Sequence, residues 1–165
     1  VPDSCSPEAV EYVTMQLKEL IQKLEALTGK RLSMDDLSET LARENQSKAY
    51  YKEFLKLQAE RYYPSTLTLQ MYMLFATHLN IGTPETLDLF RSFAEDIKQY
   101  PKYDGTRIVW VHLLPFYQET LKHYFNLNRD YQIQCTEMNL DYMDELDTTH
   151  PLDCLLYTSD AADEL

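Results

Sequence analysis

Residues 107–136 constrain the fold most, because there the chain turns from strand to helix and back within one short stretch. Arg107-Ile-Val-Trp-Val-His112 is a short apolar run between the turn chemistry of Tyr100-Pro-Lys-Tyr-Asp-Gly105 and Pro115. That is the signature of a strand buried on both faces. Residues 116–125 follow with a helical period, Leu121, Tyr124 and Phe125 facing inward, and Tyr131-Gln-Ile-Gln-Cys-Thr136 alternates as a second strand. Strand, helix and strand in about 30 residues form a βαβ unit, whose crossover makes the two strands parallel.

Everything before it reads as helix. Ser6-Pro7-Glu8 combines a hydroxyl cap, a proline at the first helical position and an acid at the positive end of the dipole. Val10, Val13, Leu17, Leu20, Ile21, Leu24 and Leu27 then recur at spacings of three and four until Gly29. A second helix opens at Ser33 with Leu37 and Leu41 as its stripe, and Tyr50, Tyr51, Phe54, Leu55 and Leu57 mark a third that Pro64 ends. Residues 71–76 are apolar all round and predict a helix buried on most sides. Thr83-Pro84-Glu85 starts the last helix with the same cap chemistry as Ser6-Pro7-Glu8. The fold class expected is therefore α/β, a helical connecting region over about 6–99 followed by the first βαβ unit of a parallel-sheet lobe.

Composition narrows the function classes. The formal charge is −12, from 27 acids against 15 bases. That argues against nucleic acid as a partner, since phosphate binding needs Lys and Arg to displace counterions. No run approaches the ~18 apolar residues that span a bilayer; the densest, 67–79, is broken by Thr68, Gln70, Thr77 and His78. A soluble, cytoplasmic protein is expected. Cys5, Cys135 and Cys154 fit neither a CxxC pair nor a zinc spacing, and their odd number suggests a reducing compartment. From Cys154 to Glu164 the chain has neither helical nor strand period and resembles a translated transposon-end sequencing adapter, so 154–165 is expected to be non-native. The natural protein is then expected to continue beyond Asp153, leaving this segment an interior piece of a longer chain.

In a parallel sheet, ligands bind beyond the carboxyl ends of the strands. Those ends are His112-Leu-Leu-Pro-Phe-Tyr117 and Cys135-Thr-Glu-Met-Asn139. The first lacks the GxGxxG spacing that cradles a pyrophosphate, so a dinucleotide fold is not expected. His112 and Glu137 are candidates to face one crevice as an acid/base or hydrogen-bonding pair, with Pro115, Phe116 and Tyr117 lining the cleft. Cys135 reads as a small buried side chain. Cys5 precedes a helix N-terminus, where a thiolate is stabilised. His78, His123 and His150 have no partner at a ligand spacing, and no nucleophile triad is visible. No catalytic residue and no metal ligand is assigned.

The order of motifs carries more than any one of them. Val10-Glu-Tyr-Val13, Gln16-Leu-Lys-Glu-Leu20, Leu24-Glu25 and Thr28-Gly-Lys30 are followed by Leu37-Ser-Glu39, Glu44-Asn45 and Pro64. Then come Gly105-Thr-Arg-Ile-Val-Trp-Val111, Pro115-Phe116, Asn139-Leu-Asp-Tyr-Met143 and His150-Pro-Leu152. The series resembles the 2-hydroxyacyl-CoA dehydratase family, which includes the benzoyl-CoA reductase subunits. The resemblance implies two α/β lobes with a helical connection, and here it implies residues 1–100 as the end of the first lobe plus the connection, and 101–153 as the start of the second. It implies a 4Fe–4S cluster in the full-length parent, held by cysteines outside this segment, so that none is bound here. It implies a second dehydratase subunit and an ATP-dependent iron–sulfur activator as partners, and an acyl-CoA substrate. The activity implied is that of a lyase, removing the hydroxyl of a 2-hydroxyacyl-CoA through a one-electron-reduced thioester; this segment alone is expected to be inactive and marginally stable. Two other readings stand beside it: a non-catalytic two-lobed domain of an activator-related protein, and a helical interaction module. The last is favoured only if 107–136 do not form a parallel βαβ.

Overall fold

The computed structural model describes residues 6–115, 119–141 and 143–153. In chain order these form α1 (Pro7–Thr28), α2 (Met34–Gln58), α3 (Leu67–Leu79), α4 (Pro84–Asp96), β1 (Thr106–Trp110), α5 (Glu119–Phe125) and β2 (Tyr131–Thr136). The chain groups into two compact units, Arg43–Asp144 and a second made of Val1–Ala42 with Glu145–Leu165, the division falling inside α2.

The smaller unit holds α1, whose caps follow the sequence. Ser6 accepts a hydrogen bond from the Ala9 N–H at 3.3 Å, and Gly29, at φ 68°, returns its N–H to the Glu25 carbonyl. Thr14 Oγ1 donates to Asp153 at 2.9 Å, tying α1 to the short helical turn at 151–153. The apolar stripe of α1 stays open along Leu20, Leu24 and Leu27.

The second and third helices expected from the sequence are one continuous helix, α2. No Pro or Gly lies between Met34 and Gln58, and the mid-helix Ser47 hydroxyl turns back on the Arg43 carbonyl at 2.9 Å instead of breaking the ladder. A second correction concerns α3. It buries Leu67, Gln70 and Met73, but Tyr72 and Leu79 are 66% and 72% exposed, so one face remains uncovered. An apolar helix is buried all round only where neighbours exist on every side.

In the larger unit β1 and β2 pair in parallel, from Thr106 with Tyr131 to Trp110 with Thr136, around the α5 crossover, as the sequence predicts. The register slips between Ile108 and Val109, so Gln134 has no partner in β1 and β2 bulges there. Its amide donates instead to the Leu55 carbonyl at 2.8 Å. Gln132 is buried rather than outward: its Oε1 accepts from the Tyr63 N–H at 2.8 Å and its Nε2 donates to the Arg61 carbonyl at 3.3 Å. Gln58 Nε2 reaches the Ile133 carbonyl at 3.3 Å. Three glutamines thus clip the end of α2, and the segment after it, onto β2 through hydrogen bonds to main-chain groups.

Two apolar clusters flank this seam. Tyr51, Phe54, Tyr63, Met73, Phe90, Ala94 and Ile97 form the larger. Leu67, Leu114 and Ile133, with Trp110, Leu121 and Phe125 against them, form the smaller. Gly105 sits where the chain enters β1, and a Cβ added there would run into the Tyr103 side chain and the Arg129 carbonyl. Gly105→Ala is therefore expected to destabilise by about 1–3 kcal/mol, read as a lower denaturant midpoint at constant slope.

Candidate functional site

The carboxyl ends of both strands open on one pocket. After β1 the chain makes a left-handed turn at His112, φ 67°, a conformation His adopts more readily than most side chains. The turn is held from two sides. Glu137 Oε2 accepts from the His112 N–H at 3.0 Å, and Trp110 Nε1 donates to the Leu113 carbonyl at 3.3 Å. This geometry sends Leu114 into the smaller core cluster and leaves His112, Leu113 and Leu114 along one wall of the pocket. Met71, Leu74 and Phe75 of α3 form the opposite wall, with Gln70 below them, and Thr136 and Met138 complete the lining from the end of β2. Its volume of ≈ 40 Å³ admits a water or the end of a small apolar group, not a whole cofactor.

Of the residues predicted from sequence, His112 lines this pocket and Glu137 clamps its loop. Those two residues do come together, through the main chain of His112. Pro115 follows the loop, is exposed, and does not line the pocket. Phe116 and Tyr117 lie outside the described residues. The α3 wall was not anticipated: Met71 and Phe75 read as core because a one-dimensional apolar pattern does not tell a buried face from a ligand-facing one. The available signal was an apolar excess in 71–76 beyond what a single βαβ unit can cover.

The sequence model of the 2-hydroxyglutaryl-CoA dehydratase, D-component, matches residues 1–159. The chain belongs to the 2-hydroxyglutaryl-CoA dehydratase D-component family. No curated protein and no solved structure matches it. The family match runs past Asp153 and includes the first six residues, 154–159, of the segment set apart above as non-native. Membership supports a dehydratase-component role, and the family implies a system with an iron–sulfur cofactor.

The described residues of this D-component relative do not fit such a cluster. Among them no group of three or more His, Cys, Asp or Glu could hold a metal ion. Cys5 and Cys154 lie outside the described residues; Cys135 is buried in β2 beside Tyr51, and burial pushes its thiol up from the ordinary value. A thiol so placed is a poor thiolate donor. No helix among the described residues is long and apolar enough to cross a membrane.

His150 is paired with a carboxylate. His150 Nδ1 lies 2.9 Å from Asp147 Oδ2, and the hydrogen bond to Asp147, with its charge, raises the His150 pKa. Hydrogen bonds from Thr149 and His150 hold the Asp147 carboxyl well below the carboxylate range. The sign follows: the pair stabilises the fold below the ordinary His value of about 6.5 and loses that contribution as pH rises through the raised value. Asp147→Asn is expected to lower the His150 titration, followed by NMR, toward the ordinary value; an unchanged titration would refute the pairing.

Proposed function

We propose that this chain is part of a 2-hydroxyacyl-CoA dehydratase and that the pocket at the ends of β1 and β2 receives the acyl end of the thioester. The observation that carries this is a coincidence of place. In a chain of a dehydratase family, the mostly apolar pocket lies beyond the carboxyl ends of parallel strands, where such sheets bind ligands.

Within this reading the chain's own residues have limited tasks. Met71, Leu74, Phe75 and Leu113 surround the acyl end and exclude water from it. Glu137 fixes the His112 turn and so the position of Leu113 and Leu114. Pro115 follows that loop outside the pocket. The proposed reaction is radical dehydration of a 2-hydroxyacyl-CoA; a 4Fe–4S cluster held by cysteines outside this segment would supply one-electron chemistry, charged by an ATP-driven activator. No step of that electron chemistry is assigned to residues of this chain. A second dehydratase subunit and the activator are the proposed partners, in the cytoplasm. The proposed organisation has 1–100 as the end of one lobe with its connection, and 101–153 as the opening of the next.

The parallel pairing of β1 with β2 removes the condition that favoured a helical interaction module. The test is anaerobic reconstitution of the whole protein with the second subunit, activator, ATP and reductant. Loss of water from a 2-hydroxyacyl-CoA that requires this chain supports the proposal. No turnover with a cluster-loaded, activator-reduced complex overturns it and favours the non-catalytic reading.

A further inference from the structure

We infer that the pocket at the strand ends takes an uncharged, apolar group and excludes a carboxylate, so that the substrates of this chain end in a hydrocarbon rather than in the second acid of a glutaryl group. The inference rests on the proposed acyl-CoA reading for its biological meaning. Its physical basis is independent of it. Met71, Leu74, Phe75, Leu113 and Met138 dominate the wall, and none of the lining residues is a Lys or Arg. A carboxylate moved into such a site loses its hydration with no Lys or Arg to replace it. The ionised side chain tied to the pocket loop is Glu137, itself a carboxylate, bonded to the His112 N–H at 3.0 Å. A second acid nearby would meet like charge. The polar lining is confined to Gln70, His112 and Thr136. The Gln70 amide is already engaged, its Nε2 donating to Ser65 Oγ at 2.9 Å. Two methionines in the wall give it an adaptable shape, suited to aliphatic ends of differing branching.

Two thioesters of equal length separate the alternatives, pentanoyl-CoA with a methyl end and glutaryl-CoA with a carboxylate end. With methyl-labelled methionine in the full chain, pentanoyl-CoA is expected to shift the Met71 and Met138 signals and to bind at least about tenfold more tightly than glutaryl-CoA. Leu113→Lys places a cation at the mouth, on a residue exposed enough to tolerate it, and is expected to narrow or reverse that ratio. Free pentanamide keeps the inference separate from the proposed function. If neither thioester binds but pentanamide still shifts Met71 and Met138, the apolar assignment stands and the acyl-CoA reading fails. Glutaryl-CoA binding as tightly as pentanoyl-CoA, or pentanamide leaving both methionines unmoved, would overturn the inference.

Discussion

Phe90→Ala is expected to cost about 3–5 kcal/mol, the largest single effect of any apolar truncation in the chain. Phe90 is fully buried, and its ring stacks on Tyr51 at 4.9 Å and meets Phe93 at 6.5 Å. Tyr51 stacks in turn on Phe54, and Phe54 meets Tyr63 edge-on at 5.0 Å. Removing Phe90 therefore opens a cavity against rings already committed to other partners, which cannot collapse into it. The same packing explains why burial pushes the Tyr51 hydroxyl far above its ordinary value, and that of Tyr63 up to about 12. Denaturant unfolding should show a lower midpoint with an unchanged slope. A loss below about 1 kcal/mol would mean that the cluster is not the core of the larger unit.

The second large effect is electrostatic. Lys48 is 3% exposed, yet its ammonium donates to Glu44 Oε1 at 2.8 Å and to the Asp144 carbonyl at 3.1 Å. Lys48→Met is expected to cost about 3 kcal/mol, because the half-buried Glu44 carboxylate loses its cation and the Asp144 carbonyl loses that donor. The attraction itself contributes little net stability once desolvation is counted. Hence the double replacement Lys48→Met with Glu44→Leu is expected to recover part of the loss. A double variant less stable than Lys48→Met alone would show that the pair is a net stabiliser, and a Lys48→Met loss under about 0.5 kcal/mol would place it among surface ion pairs.

What could be read in advance was local. Ser6-Pro7 and Thr83-Pro84 announce helix starts because cap, proline and acid act within one turn, and both caps form, with Thr83 accepting from the Thr86 N–H at 3.3 Å. The strands at 106–110 and 131–136 were legible from period and punctuation, and their parallel sense from the helix between them. The pocket lies at the strand ends that this sense designates. Its far wall was not legible, because α3 reaches the strand ends only through tertiary packing, and sequence spacing carries no information about it. Gln132 illustrates the same limit: alternation alone does not show that a polar residue of β2 is buried to bond Tyr63 and Arg61. The continuity of α2 was missed because Asn45 and Ser47 look like loop residues, and the Ser47 hydroxyl satisfies itself on its own helix.

The function proposed for the chain stands on one placement, the acyl end of a thioester against α3 and the loops after β1 and β2. Hydrogen exchange of the whole chain with and without pentanoyl-CoA measures that placement directly. Slowed exchange confined to 70–75, 111–115 and 136–140 is the expected result. Protection centred on α1, or none at saturating thioester, would contradict it.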